Sequence, residues 1–261
     1  MPTLKRLPML KNIKLICYVV LIAFSFLYCS KDSSGNFAGG APSGQGGSLA
    51  RFAIVNNYMY AVDKENLGVF SISNPANPQL LRTIKVGFEI ETIFPFKDKL
   101  FIGSTSVVHI FSIADPAKPE KLSQAISPTV LRRCDPVVAK DNVAYATLRV
   151  NGACGGVQSI LACYDISDIA NPVQKGTFNV AEPYGLGYKA DVLYVCDRNV
   201  GLRVFDISSA YSPVQIKTLR DSDWYMDVIP YNDVLICWTS TGAVLYDITD
   251  NRNPVLLSSI Q

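Results

Sequence analysis

From residue 50 onward, apolar side chains recur either every second position or in unbroken runs of about six. Nowhere does the three-to-four spacing of an amphipathic helix persist. One such run returns five times: VFSIS at 69–73, IFSIA at 110–114, CYDIS at 163–167, VFDIS at 204–208 and LYDIT at 245–249. Its isoleucine falls at 72, 113, 166, 207 and 248, so the intervals are 41, 53, 41 and 41 residues and the third repeat carries a twelve-residue insertion. A proline follows each isoleucine by six positions (Pro78, Pro119, Pro172, Pro213, Pro254), closing loops such as SNPANP that are built from turn formers.

Before each of these runs lies another apolar or alternating stretch, at 58–63, 99–104, 143–148, 192–197 and 234–239, and a shorter one precedes each of those. Every repeat therefore predicts four strands in about 41 residues. The sheet so formed has two apolar faces that it cannot bury alone, and stacking the repeats around an axis covers them. The fold class predicted is all-β, a β-propeller of five four-stranded blades over 50–261. Hydrophobic residues make up 49% of the chain, enough for one such domain to bury a core. The first repeat starts near Arg51 and the last ends at Ile260, which leaves no spare strand to complete a split blade; the residues before Arg51 are candidates to seal the ring.

The first 49 residues differ in kind. Lys5, Arg6, Lys11 and Lys14 precede an apolar run over 15–28, too short to span a bilayer and suited to an export signal. Cys29 follows, and 30–49 (SKDSSGNFAGGAPSGQGGSL) is a Gly/Ser-rich tether. This order resembles that of bacterial lipoproteins, although Tyr28 stands where that family has a small residue. The resemblance implies lipidation at Cys29, a membrane anchored through that lipid and a location in the cell envelope, at the outer membrane or cell surface. The domains expected are thus 1–29, 30–49 and 50–261. Without the four basic residues of the signal, 20 of the 24 basic residues face 22 acidic ones. A nearly neutral domain lacks the footprint that neutralises phosphates, which argues against nucleic acid as a partner.

The repeats themselves, LGVFSISNPANPQLL, GLRVFDISSAYSPVQI and GAVLYDITDNRNPVLL, resemble the LVIVD repeat of bacterial and archaeal surface proteins. Segments such as GFEIETIFPFKDKLFIGS, CDPVVAKDNVAYATLR and DVIPYNDVLI extend the likeness over 47–260, to uncharacterised LVIVD-repeat lipoproteins. The resemblance implies a propeller blade per repeat and a surface location. It implies no chemistry.

Five cysteines lie beyond the signal and anchor. Repeat geometry puts Cys134 and the insertion's Cys154 on one face of the third blade, which predicts a disulfide between them, with two unpaired thiols as the alternative. Cys196 and Cys237 hold equivalent positions in adjacent blades, too far apart to bond, and Cys163 replaces an aliphatic residue.

The single histidine, His109, has no nucleophile signature beside it, and no spacing of His, Cys and acidic residues suggests a metal site, a cofactor or an enzyme. Propellers bind ligands where the innermost strands begin. Register places Glu91, Asp135, Tyr184 and Tyr225 at one equivalent position there, with Asp227 two residues on, a candidate channel-mouth ligand site for a sugar or cation. The plainer reading is that these residues cap strands and hold water. Trp224 and the third-repeat insertion are further surface features. The function expected is a monomeric, surface-tethered binding or structural module for an envelope protein or glycan. The alternative is a glycan hydrolase using channel carboxylates.

Overall fold

The computed structural model describes residues 47–126, 134–149, 158–198 and 200–260, all within the unit Ala41–Gln261. These residues form twenty strands in five antiparallel four-stranded sheets, each in simple meander order. Blade one is β1 (Phe52–Val55), β2 (Tyr58–Val62), β3 (Asn66–Ser71) and β4 (Gln79–Lys85); blade two is β5 (Ile90–Phe96), β6 (Lys99–Ser104), β7 (Val108–Ser112) and β8 (Glu120–Ala125). Blade three is β9 (Cys134–Lys140), β10 (Val143–Leu148), β11 (Ile160–Asp165) and β12 (Val173–Asn179). Blade four is β13 (Pro183–Lys189), β14 (Val192–Asp197), β15 (Gly201–Asp206) and β16 (Val214–Leu219). Blade five is β17 (Tyr225–Tyr231), β18 (Val234–Thr239), β19 (Gly242–Asp247) and β20 (Val255–Ile260).

The repeat has a physical basis in three local features. The hairpin from first to second strand turns on two residues in every blade, and the first of them is left-handed: Asn56, Lys97, Asp141, Ala190 and Asn232, with φ between 51° and 54°. The second turn residue then offers its carbonyl to the amide of the recurring isoleucine. Ile72, Ile113, Ile166, Ile207 and Ile248 donate to Asn57, Asp98, Asn142, Asp191 and Asp233 at 2.8–2.9 Å. Finally, a bulge between the third and fourth strands recurs two to three residues before that isoleucine in each blade. The isoleucine is thus the clasp that ties the outer half of a blade to its inner hairpin.

Neighbouring blades are joined by apolar packing and by a latch. Four clusters fill the interfaces between successive blades, from Tyr60, Leu67 and Ile93 at the first to Tyr225, Leu235 and Tyr246 at the last. Tyr60, Tyr145 and Tyr194, at one position of the second strand, each donate a hydroxyl hydrogen bond to a carbonyl in the next blade's loop: Pro116, Ala210 and Asn251, at 2.7–3.0 Å. Ion pairs repeat the linkage on the hairpin-turn side, Lys140 to Asp191 and Lys189 to Asp233.

Blade five carries Ile236 at the tyrosine position, and its outward face is covered on one side only. Trp238 is 63% exposed, and across the ring Phe52 of blade one is 56% exposed. Among the described residues no apolar cluster joins these two blades. A strap formed by residues 47–50 makes the connection instead. Ala50 O accepts from Ile93 N of blade two, Ser48 Oγ accepts from Leu186 N of blade four, and both Ser48 and Leu49 donate to Asp227 of blade five. The expected tether 30–49 therefore ends earlier than its composition suggests, because Gly47 and Ser48 are buried in the domain. The residues before Arg51 tie the start of blade one to blades two, four and five.

Candidate functional site

The structure disperses the residues that register assigns to the channel mouth. Tyr225 pairs with Thr239, as Ile90 pairs with Ser104, Cys134 with Leu148 and Pro183 with Asp197. The residue equivalent to Glu91, Asp135 and Tyr184 is therefore Met226, and the alignment through Tyr225 slips by one. The innermost strands bulge at this level in blades two to five, and that bulge hides the slip in the sequence. Tyr225 lies wholly buried between blades four and five. Its hydroxyl accepts from Asp221 N at 3.0 Å and shares a 2.6 Å hydrogen bond with Tyr246, and burial pushes its pKa up to about 12.

Asp227 faces the strap. Its carboxylate accepts from Ser48 Oγ (3.2 Å), Leu49 N (3.3 Å) and Val228 N (2.9 Å). Burial raises its pKa to about 6 against the pull of those donors. Space around it is so tight that a Cβ on Gly47 or Gly185 would strike the carboxylate. Glu91 lies elsewhere, in an open cleft of about 520 Å³ with Arg51, Lys64, Glu89 and Thr105. Asp135 is the second residue of β9, and its side chain lies outside the described residues. Cys29 and Cys154 also lie outside them, and with Cys154 the expected disulfide to Cys134.

Tyr184 does reach the loop face, in company that sequence reasoning missed. The buried carboxylate of Asp197, at the end of β14, accepts from the amides of Ala181 and Glu182 and from Arg203, and so pins the loop before β13. Thr147 of blade three donates to Tyr184 O at 3.0 Å from the other side. On this fixed loop the Tyr184 ring carries the guanidinium of Arg149 at 4.0 Å, with that of Arg198 at 5.8 Å. Arg198 stacks in turn on Trp224 at 4.0 Å and pairs with Glu182 at 3.1 Å. The result is a cation–aromatic stack across blades three, four and five, beside the start of the third-blade insertion, with Trp224 42% exposed. Trp224 was legible as a surface feature. The arginines were not, because neither sits within a motif.

The remaining chemistry-bearing groups belong to the core. Burial, with a smaller effect from Lys121, lowers the pKa of His109 to about 4 and keeps it neutral. Cys163, Cys196 and Cys237 are buried free thiols, each with its pKa raised by burial. Among the described residues no three His, Cys, Asp or Glu side chains gather as metal ligands would.

With this geometry in hand, the comparisons bear on the fold. The LVIVD repeat matches residues 46–85 and 189–219. No curated protein sequence matches the chain. A functionally unknown protein from Desulfotomaculum acetoxidans superposes with a TM-score of 0.64 at 11% identity, over 78% of this chain and 66% of its own. A protein from Lactobacillus plantarum gives 0.64 at 15% identity, over 77% and 67%. The periplasmic gluconolactonase of Pseudomonas aeruginosa gives 0.61 at 12%, over 78% and 67%. The chain thus spans about two-thirds of the length of these structures, and at such identities the likeness is one of fold. The chain is a repeat β-propeller that carries LVIVD-repeat sequence at its first and fourth blades.

Proposed function

We propose that this protein is an exported, lipid-tethered binding module of the cell envelope, which uses the loop face of blades three to five to hold an envelope protein or glycan. The observation that carries this reading is the Arg149–Tyr184–Arg198–Trp224 stack. Asp197 and Thr147 pin the backbone that leads into Tyr184, two guanidinium groups lie over the two rings, and Trp224 presents free surface beside them. Aromatic and Arg side chains on pinned loops are the groups that supply binding energy at low ordering cost. The basic residues, apolar run, Cys29 and Gly/Ser tether support the anchored location.

Glu91 and Asp227 do not form the acid pair that a channel hydrolase needs. Asp227 is turned to the strap and Glu91 opens into a different cleft. The test is a glycan array and a cross-linking screen on whole cells, with the full chain keeping Trp224 and carrying a photo-reactive residue at the exposed neighbouring position 223. Trp224→Ala and Arg198→Ala are expected to abolish any glycan signal. A ligand retained by both variants would overturn the placement, and membrane association surviving Cys29→Ser would overturn the anchor.

A further inference from the structure

The five innermost strands and the strap line a partly open cavity of about 470 Å³, with Ser48 and Lys97 both on its wall. That volume falls within the range of small-molecule sites, roughly 300–1,000 Å³. The wall is more apolar than polar and partly aromatic, with Phe52, Phe94, Phe96 and Tyr188 among its residues. Blade packing would otherwise bury such side chains, yet Phe52 stays largely exposed because the neighbouring blade does not close over it.

Of the described residues lining the cavity, only Lys97 is charged. Its ammonium lies 5.0 Å from the centre of the Phe96 ring. Asp98 and Asp141 both feel the charge of Lys97, and each is paired more closely with a second lysine, Asp98 with Lys99 at 2.7 Å and Asp141 with Lys140 at 2.6 Å. Ser48 Oγ, also on the wall, is committed to Asp227 and Leu186. The cavity therefore offers hydrophobic area and the ammonium of Lys97 on its wall.

We propose that the channel is a binding site for a small apolar monoanion, an aromatic or branched aliphatic carboxylate. The hydrocarbon body lies against the phenylalanine rings and the carboxylate meets Lys97. This site is distinct from the outer loop face, and the two are separable by mutation.

The experiment is titration calorimetry of the full chain in lipid nanodiscs with 2-naphthoate, with empty nanodiscs subtracted. Saturable one-to-one binding is expected. Lys97→Gln should weaken 2-naphthoate about fivefold, the scale of a partly exposed ion pair, while leaving neutral 2-naphthamide unaffected. Ala50→Trp, at a half-buried strap position on the cavity wall, should abolish both, and Phe52→Ala should weaken both if the tryptophan variant loses its near-ultraviolet dichroism. Trp224→Ala should change neither. Absence of saturable binding by the wild type, equal binding by a folded Ala50→Trp variant, or equal loss of both ligands in Lys97→Gln would overturn the proposal.

Discussion

Replacing Asp227 by Asn tests the account of the strap. Burial raises the Asp227 carboxyl from 3.8 to about 6 in the folded protein. Over that window the native state binds a proton more tightly than the unfolded chain does. Asp227 thus contributes stability that is fully present below its unfolded pKa and is lost as pH rises through the folded one. At about 1.36 kcal/mol per pH unit, that window amounts to roughly 3 kcal/mol lost by neutral pH. An asparagine side chain cannot ionise and escapes that loss, but its NH2 group, standing in place of Oδ2, cannot accept from Leu49 N, a pH-independent penalty of about 1 kcal/mol. The Asp227→Asn variant should therefore be more stable than wild type by about 2 kcal/mol at neutral pH and slightly less stable near pH 4, measured by urea denaturation across that range. His109 has the opposite sign. Its pKa is lowered to about 4, so wild type and variant alike lose stability as pH falls from 6.5. The difference between them cancels that slope. A difference that stays flat with pH, or an Asp227→Asn variant less stable at neutral pH, would refute the buried-carboxylate reasoning.

Ser48→Ala removes the donor to Asp227 and the acceptor for Leu186 N, and should cost about 1–3 kcal/mol by denaturant melting. Tyr194→Phe, which deletes the 2.7 Å latch to Asn251 O, is expected to cost about 1 kcal/mol, whereas Ile236→Val in blade five should cost less because that position has no latch. His109→Leu should make stability between pH 6.5 and 4 less dependent on acid, read as a smaller fall in melting temperature. Cys163, Cys196 and Cys237 should resist iodoacetamide until urea unfolds the protein, as buried thiols with raised pKa values do.

Much of the fold is written in the chain because each blade solves the same local problem. The isoleucine that defines the repeat is spaced by 41 residues since its amide must reach a hairpin turn that recurs in every blade, and four of the five second strands keep the bounds their apolar runs predict. The edges of the domain were less legible. Composition assigns Gly47 to Leu49 to a flexible tether, because Gly and Ser carry no pattern of burial. They pack because Asp227, 178 to 180 positions away, leaves room for a glycine and offers two acceptor oxygens. Such a contact belongs to tertiary structure and has no local trace.

The same reasoning explains why the channel-mouth site dissolved while a different one formed. Counting back from the repeat puts Tyr225 in line with Tyr184, but a bulge can absorb one residue without disturbing either flanking strand, so sequence spacing cannot fix the register there. A slip of one in a strand exchanges its faces. Tyr225 thereby becomes core, and Asp227 becomes the anchor of the strap. What holds Tyr184 at the surface is Asp197, a residue that reads as the polar end of an apolar strand and acts by pinning two amides of the preceding loop. Arg149 and Arg198 then find the ring through geometry alone. Asp197→Ala should therefore disturb any ligand bound at Trp224 although it touches none, and a glycan or protein signal that survives this change in a folded variant would detach the loop from the site.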